Sequence, residues 1–213
     1  MDGIAASEGL YLRGEEKFGP LSSRIYGFFS SIRRWNFYSD IVNHILSSNP
    51  RHVLDIGCGP ANLLIMLSKR SPDLRCVGID PSPSMVKLAR KRVEREKLSD
   101  RIGIMIGSSR NIPVSGKFDT IITSFSFHHW QNKSESLQEI LSHLETGGKL
   151  TIYDLSASGL YGKIPMIRNH VLDHSTIEID PEVFSKKVEY SRNGALVFVN
   201  ITRRDISRNG DVK

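Results

Sequence analysis

The stretch from Val53 to Lys69, VLDIGCGPANLLIMLSK, constrains this chain more than any other. Val53, Leu54 and Ile56 have the character of a buried strand. Gly57 and Gly59 permit a tight turn and a close backbone approach, and Leu63, Leu64 and Leu67 give the next helix an apolar face. A strand that runs through a glycine turn into a helix builds a nucleotide-binding corner.

The ligand of that corner is narrowed by what surrounds the glycines. A dinucleotide site asks for G-x-G-x-x-G, with the third glycine packing helix against strand. Asn62 stands at that position. Asp55, two residues before Gly57, would repel a phosphate but can face a cationic group, directly or through water. The amino-acid end of S-adenosylmethionine is such a group.

At 213 residues the chain is long enough for one α/β domain with a full core and short for two. Charged residues make up 24% and apolar residues 39%, and no apolar run approaches the roughly 20 residues a membrane-spanning helix needs. The first nineteen residues, MDGIAASEGLYLRGEEKFG, lack the continuous apolar segment of a signal peptide, so a cytoplasmic location is the default expectation. Cys58 and Cys76 are the only cysteines, too few for a disulfide framework or a metal cluster, and no metal is expected. The net charge of +6 raises nucleic acid as a partner. Its densest basic run, LARKRVEREKL, is better read as the solvated face of an amphipathic helix marked by Leu88, Val93 and Leu98.

Strand and helix signals alternate along the chain. Helical spacing from Leu21 to Leu46 predicts one or two helices ahead of the first strand. Strands follow at Arg75–Asp80, Arg101–Gly107 and Phe118–Phe127, with a helix after the second opened by Ser82 or Ser84 and a loop over 108–117. NKSESLQEILSHLE is a helix with Leu137, Ile140, Leu141 and Leu144 inward, capped by Gly147-Gly148, before a fifth strand at Lys149–Leu155. Residues 159–174 are weakly helical, and VEYSRNGALVFVNIT forms a hairpin around Asn193-Gly194.

Asp80 closes the second strand, where a carboxylate can accept both ribose hydroxyls of a nucleoside, with Pro81 and Met85 near the base. The run Asp55-Ile56-Gly57-Cys58-Gly59-Pro60-Ala61 resembles motif I, D-x-G-x-G-x-G, of class I S-adenosylmethionine-dependent methyltransferases, with Ala61 in place of the last glycine. That departure is expected to be mild, since alanine adds only a methyl. Gly107-Ser108-Ser109 with Ile112-Pro113 resembles the G-D-A-x-x-L-P stretch of the same enzymes, Ser108 replacing aspartate; a hydroxyl still accepts from an adenine amine, without charge assistance. FDTIITSFSFHHW resembles F-D-x-V-x-x-x-x-x-L-H-H of the ubiquinone and menaquinone biosynthesis-type methyltransferases, and the resemblance runs almost continuously from Val53 to Leu155.

The resemblance implies a Rossmann-like class I fold: a seven-stranded, mostly parallel α/β sheet with an antiparallel C-terminal hairpin and helices on both faces. It implies a helical cap over residues 1–48 and a cofactor-binding domain over 49–213, together one structural domain. Backbone near Ser124 and Phe125 would meet the methionine end of the cofactor. His128 and His129 would face the acceptor, where an imidazole can take a proton. Tyr26 is the candidate cofactor contact from the aromatic cap, which also holds Phe28, Phe29, Trp35, Phe37 and Tyr38, with Tyr11 and Phe18 ahead of it. Tyr161, His170 and His174 are candidates to line the acceptor pocket.

The implied activity is methyl transfer from S-adenosylmethionine to a small molecule by in-line displacement, leaving S-adenosylhomocysteine, in a monomer or homodimer. An RNA or protein methyltransferase, a non-catalytic adenosylmethionine-binding protein and an NAD-dependent oxidoreductase are the alternatives. The chain has neither the Asn/Asp-Pro-Pro-aromatic stretch that grips an exocyclic base amine nor a cysteine after the fourth strand to attack a pyrimidine.

Overall fold

A computed structural model describes residues 37–157, 171–191 and 193–205. Residues 37–46 are helical (α1), followed by β1 (His52–Ile56), α2 (Asn62–Arg70), β2 (Arg75–Asp80), α3 (Pro83–Arg95) and β3 (Ile102–Ile106). Next come β4 (Phe118–Ser124), a 3₁₀ turn at Phe127–His129, α4 (Lys133–Ser142), β5 (Leu144–Ser156), β6 (Val171–Leu172), a 3₁₀ turn at His174–Thr176, β7 (Phe184–Tyr190) and β8 (Leu196–Arg203). Among the described residues no helix is long and apolar enough to cross a membrane.

All the strands join one sheet in the order β3-β2-β1-β4-β5-β8-β7, with β6 alongside β5. The first five strands are parallel and β8 runs antiparallel to both β5 and β7. Successive strands step to one side from β1 and then to the other through β4, so a crevice opens where β1 and β4 end. Apolar side chains fill both faces. Ile41, Val42 and Ile45 of α1, Leu63, Leu64 and Leu67 of α2, and Val86, Ala89 and Val93 of α3 pack on one; Leu137, Ile140 and Leu141 of α4 pack on the other. This is the Rossmann-like class I architecture expected from the sequence.

Several local expectations change. Among the described residues β6 raises the strand count from seven to eight, and it makes Val171 and Leu172 extended where weak helix was expected. Because β8 already pairs with Leu155 on one side, β6 takes the other side, beyond Ser124 where β4 stops. α4 ends at Ser142 rather than at the glycines, and Gly147 and Gly148 fall inside a long, irregular β5. β4 stops at Ser124 instead of Phe127, because Phe125 turns the chain with φ +53°. Leu88 is 40% exposed. The buried line of α3 is Met85, Val86, Ala89 and Val93, and Leu88, five residues from Val93, falls out of helical register with it.

Candidate active site

The glycine turn after β1 is docked on the end of β2: Gly57 and Cys58 both donate their N–H to the carbonyl of Ile79, at 2.9 and 3.0 Å. Gly57 (φ +77°) and Gly59 (φ +51°) are both left-handed, for different uses. A Cβ on Gly57 would lie 2.3 Å from Ser126 Oγ, so this glycine lets the β1 turn pack against the segment after β4. Nothing lies within 4 Å of a Cβ built on Gly59, which leaves its backbone facing open space. Ala61, buried and with φ +59°, is left-handed too. Its departure from glycine is therefore conformational as well as steric, with a cost of about 1–2 kcal/mol.

Two buried carboxylates flank this turn. Asp80 accepts N–H bonds from Gly59 (Oδ2, 2.9 Å) and Ser82 (Oδ1, 2.9 Å), tying the two strand ends together across 21 residues. Burial raises its pKa to about 6 against the pull of those two N–H groups. Asp55 is 1% exposed, and its Oδ1 has no hydrogen-bond partner. Burial, then the charge of Asp80, pushes its pKa up to about 8. The Cys58 thiol is held well above its ordinary value by burial and the same two carboxylates, so it is a packing group rather than a nucleophile.

At the adenine end, Pro81 is half-buried, and Met85 is buried in the first turn of α3, its N–H donating to the Ser82 hydroxyl that caps the helix. Ser108 forms a two-residue bridge with Asn111, and its hydroxyl accepts from the Arg110 N–H at 3.4 Å. The Ser109 hydroxyl bonds that of Ser136 on α4 at 2.8 Å, which commits it to anchoring the loop.

Around the end of β4, Ser124 pairs with Tyr153 and Phe125 donates its N–H to the Tyr153 carbonyl at 2.9 Å. The Phe125 ring meets Phe37 and Tyr38 of α1 at centroid distances of 6.4 and 6.0 Å. A bulky residue with positive φ is strained, and here it turns an aromatic side chain toward the helix above the crevice. The Tyr153 hydroxyl in turn holds α1 through His44 Nδ1 at 2.8 Å. His128 Nδ1 lies 2.8 Å from Oδ2 of Asp154, which is fully buried. The His129 ring lies beside that of His128, tilted by 49°, with ring centroids 4.0 Å apart.

The structure thus gathers Asp55, Gly57, Gly59, Asp80, Ser124, His128 and His129 at the carboxyl ends of β1, β2 and β4. His174 is half-buried, with Nε2 3.5 Å from the Tyr190 hydroxyl. Tyr26, Tyr11, Phe18, Phe28, Phe29, Trp35, Tyr161 and His170 lie outside the described residues. Ser126, Tyr153 and Asp154 were missed by sequence reasoning. Only the acidic strand end, Asp154 in KLTIYDL, carried a signal that could have found one of them.

This arrangement suits a nucleoside with a cationic end: two acidic side chains, one oxygen without a partner, and open space at Gly59. The family model for a methyltransferase domain matches residues 53–148, spanning the glycine turn, Asp80, the paired serines and both histidines. Over residues 53–148 the chain is similar to methyltransferase domains. An uncharacterized methyltransferase of Staphylococcus carnosus is 33% identical over 119 residues, 55% of this chain and 53% of that protein. The demethylmenaquinone methyltransferase of Deinococcus radiodurans is 32% identical over 122 residues, 56% of this chain and 50% of that protein. The chain spans about half the length of the curated relatives it matches. Among solved structures, the plantazolicin methyltransferase BpumL in complex with SAH superposes with a TM-score of 0.71 at 19% identity, covering 87% of this chain and 91% of that one. An S-adenosylmethionine-dependent methyltransferase of Methanococcus maripaludis, itself only a tentative assignment, gives 0.70 at 22% identity, covering 92% and 98%. At these identities the superpositions bear on the fold alone.

Proposed function

We propose that this chain binds S-adenosylmethionine at the crevice where β1 and β4 end and transfers its methyl group to a small organic acceptor. The observation that carries the proposal is the pair of buried carboxylates at adjacent strand ends, Asp80 bonded to the Gly59 N–H and Asp55 with an oxygen left for a cation. Asp80 would hold the ribose hydroxyls and Asp55 the methionine end. Among the serines, Ser108 keeps a polar acceptor near adenine.

When bound, S-adenosylmethionine supplies an electrophilic methyl on a sulfonium. The chain's own residues align the acceptor and exclude water, because the thioether departs neutral and needs no acid. Asp154 accepts from His128 Nδ1–H and thereby fixes Nε2 as the nitrogen able to take a proton from a hydroxyl or amine acceptor. The tilted His129 ring packs beside it. Phe37, Tyr38 and Phe125 supply an aromatic rim, which favours an apolar acceptor bearing a ring. The similarity to a demethylmenaquinone methyltransferase supports a small-molecule acceptor. A cytoplasmic location is part of the same reading.

Calorimetry with S-adenosylmethionine and with NAD tests the proposal. Adenosylmethionine binding that Asp80→Ala weakens is the expected result, and NAD binding in its place would overturn it.

A further inference from the structure

We infer that the pocket at Asp55 is a proton-exchange site: the side chain carries a proton in the ligand-free protein and releases it to solvent when a cationic ligand end takes its place. The inference rests on the adenosylmethionine reading of the crevice and adds a property that reading does not require.

Its basis is the company Asp55 keeps. The side chain sits on β1 between Gly78 of β2 and Ile122 of β4, neither of which offers a charge. It is 1% exposed, and its Oδ1 has no partner. The two N–H groups that stabilise a carboxylate in this corner, from Gly59 and Ser82, both point at Asp80 instead. The titratable groups facing Asp55 are Asp80 and Cys76 of β2 and Cys58 of the turn, each neutral or negative in its two states. No Lys, Arg or His among the described residues is close enough to contribute to its charge balance. A buried carboxylate with one oxygen unpartnered and no opposite charge beside it is costly, so a proton is its counter-ion.

A ligand that brings an ammonium or sulfonium to Oδ1 substitutes for that proton. The exchange balances: the Asp55 carboxyl O–H breaks, its electron pair stays on the oxygen as carboxylate, and the proton passes to solvent. Ligand binding then tightens as pH rises through the range where the empty site is protonated.

The experiment is titration of the protein with S-adenosylmethionine at pH 7 in two buffers of different ionisation enthalpy. With its pKa near 8, Asp55 is expected to release about 0.9 proton per ligand bound at pH 7, and Asp80, with its pKa near 6, about 0.1 more. Asp55→Asn, which keeps the shape and removes the proton, is expected to bring the release near 0.1, the remainder coming from Asp80. Should that variant fail to fold, the wild-type affinity carries the test, with an expected gain of about tenfold between pH 6 and pH 7. Binding with no proton release and no pH dependence would overturn the inference while leaving the cofactor reading in place. No binding at all would overturn both.

Discussion

Gly57 and Ser126 lie so close that a single methyl on the glycine would fall 2.3 Å from the serine Oγ and 2.9 Å from its Cβ. Ser126 is also the acceptor for Trp130 Nε1–H at 3.2 Å, so it has little room to withdraw. Gly57→Ala therefore combines a left-handed φ with a steric clash. It is expected to cost about 2–4 kcal/mol in urea unfolding. Gly59→Ala, with the same backbone handedness and open space around it, is expected to cost only about 1 kcal/mol. In the double variant Gly57→Ala/Ser126→Gly the clash is gone and the φ strain remains. Equal costs for the two glycines would show that the packing of the β1 turn on the β4 segment is unimportant.

Asp80→Ala removes the acceptor shared by Gly59, Ser82 and the proposed ribose hydroxyls. Loss of hydrogen bonds to a charged acceptor is worth about 1.5–3 kcal/mol, a fall of about 10- to 150-fold in adenosylmethionine affinity. Calorimetric titration measures it, and unchanged affinity would remove Asp80 from the site.

His128→Ala is expected to lower turnover by about 10²–10⁴ while cofactor affinity stays within a factor of about two, the signature of a lost proton acceptor. Asp154→Asn, which leaves His128 Nδ1 without its carboxylate partner, is expected to lower turnover while cofactor affinity is retained. His129→Ala, by contrast, should retain turnover. A wild-type rate for His128→Ala would reduce that residue to packing.

Ligand-free stability should depend on pH in a direction set by Asp55. Its pKa is raised from 3.8 to about 8 on folding, so the folded state holds a proton that the unfolded state has lost. The resulting stabilisation is fully present below about pH 4 and is lost as pH rises toward 8. Asp80, raised to about 6, adds a smaller contribution of the same sign. Thermal melts of the wild type should therefore fall between pH 5 and pH 8, and those of Asp55→Asn should be flatter. Parallel curves would refute a buried, protonated Asp55.

The strand-turn-helix corner, the acidic strand ends and the order of elements were legible in the sequence because each is a local matter. Periodicity sets the buried face of α2 and α4, and a glycine turn needs its glycines wherever it folds. The same local logic misplaced Leu88 and the end of α4. Leucine content does not define a helix face without its register, and Gly147-Gly148 lie in β5 because pairing with β4 draws the chain into the sheet as soon as α4 ends.

What only the tertiary structure decided is which groups meet. Asp154 stands 26 residues from His128, Ser126 stands 69 from Gly57, and Asp80 turns its oxygens to Gly59 and Ser82 rather than to Asp55. Those pairings follow from strand order. β4 lies beside β1 and β5 beside β4, which brings distant strand ends to one crevice, and the burial that results sets the protonation of Asp55. The sequence by itself determined that a carboxylate precedes the glycine turn of Val53–Lys69. Its lack of a counter-charge is a property of the folded crevice, because a buried charge is costly only once water has been excluded from it.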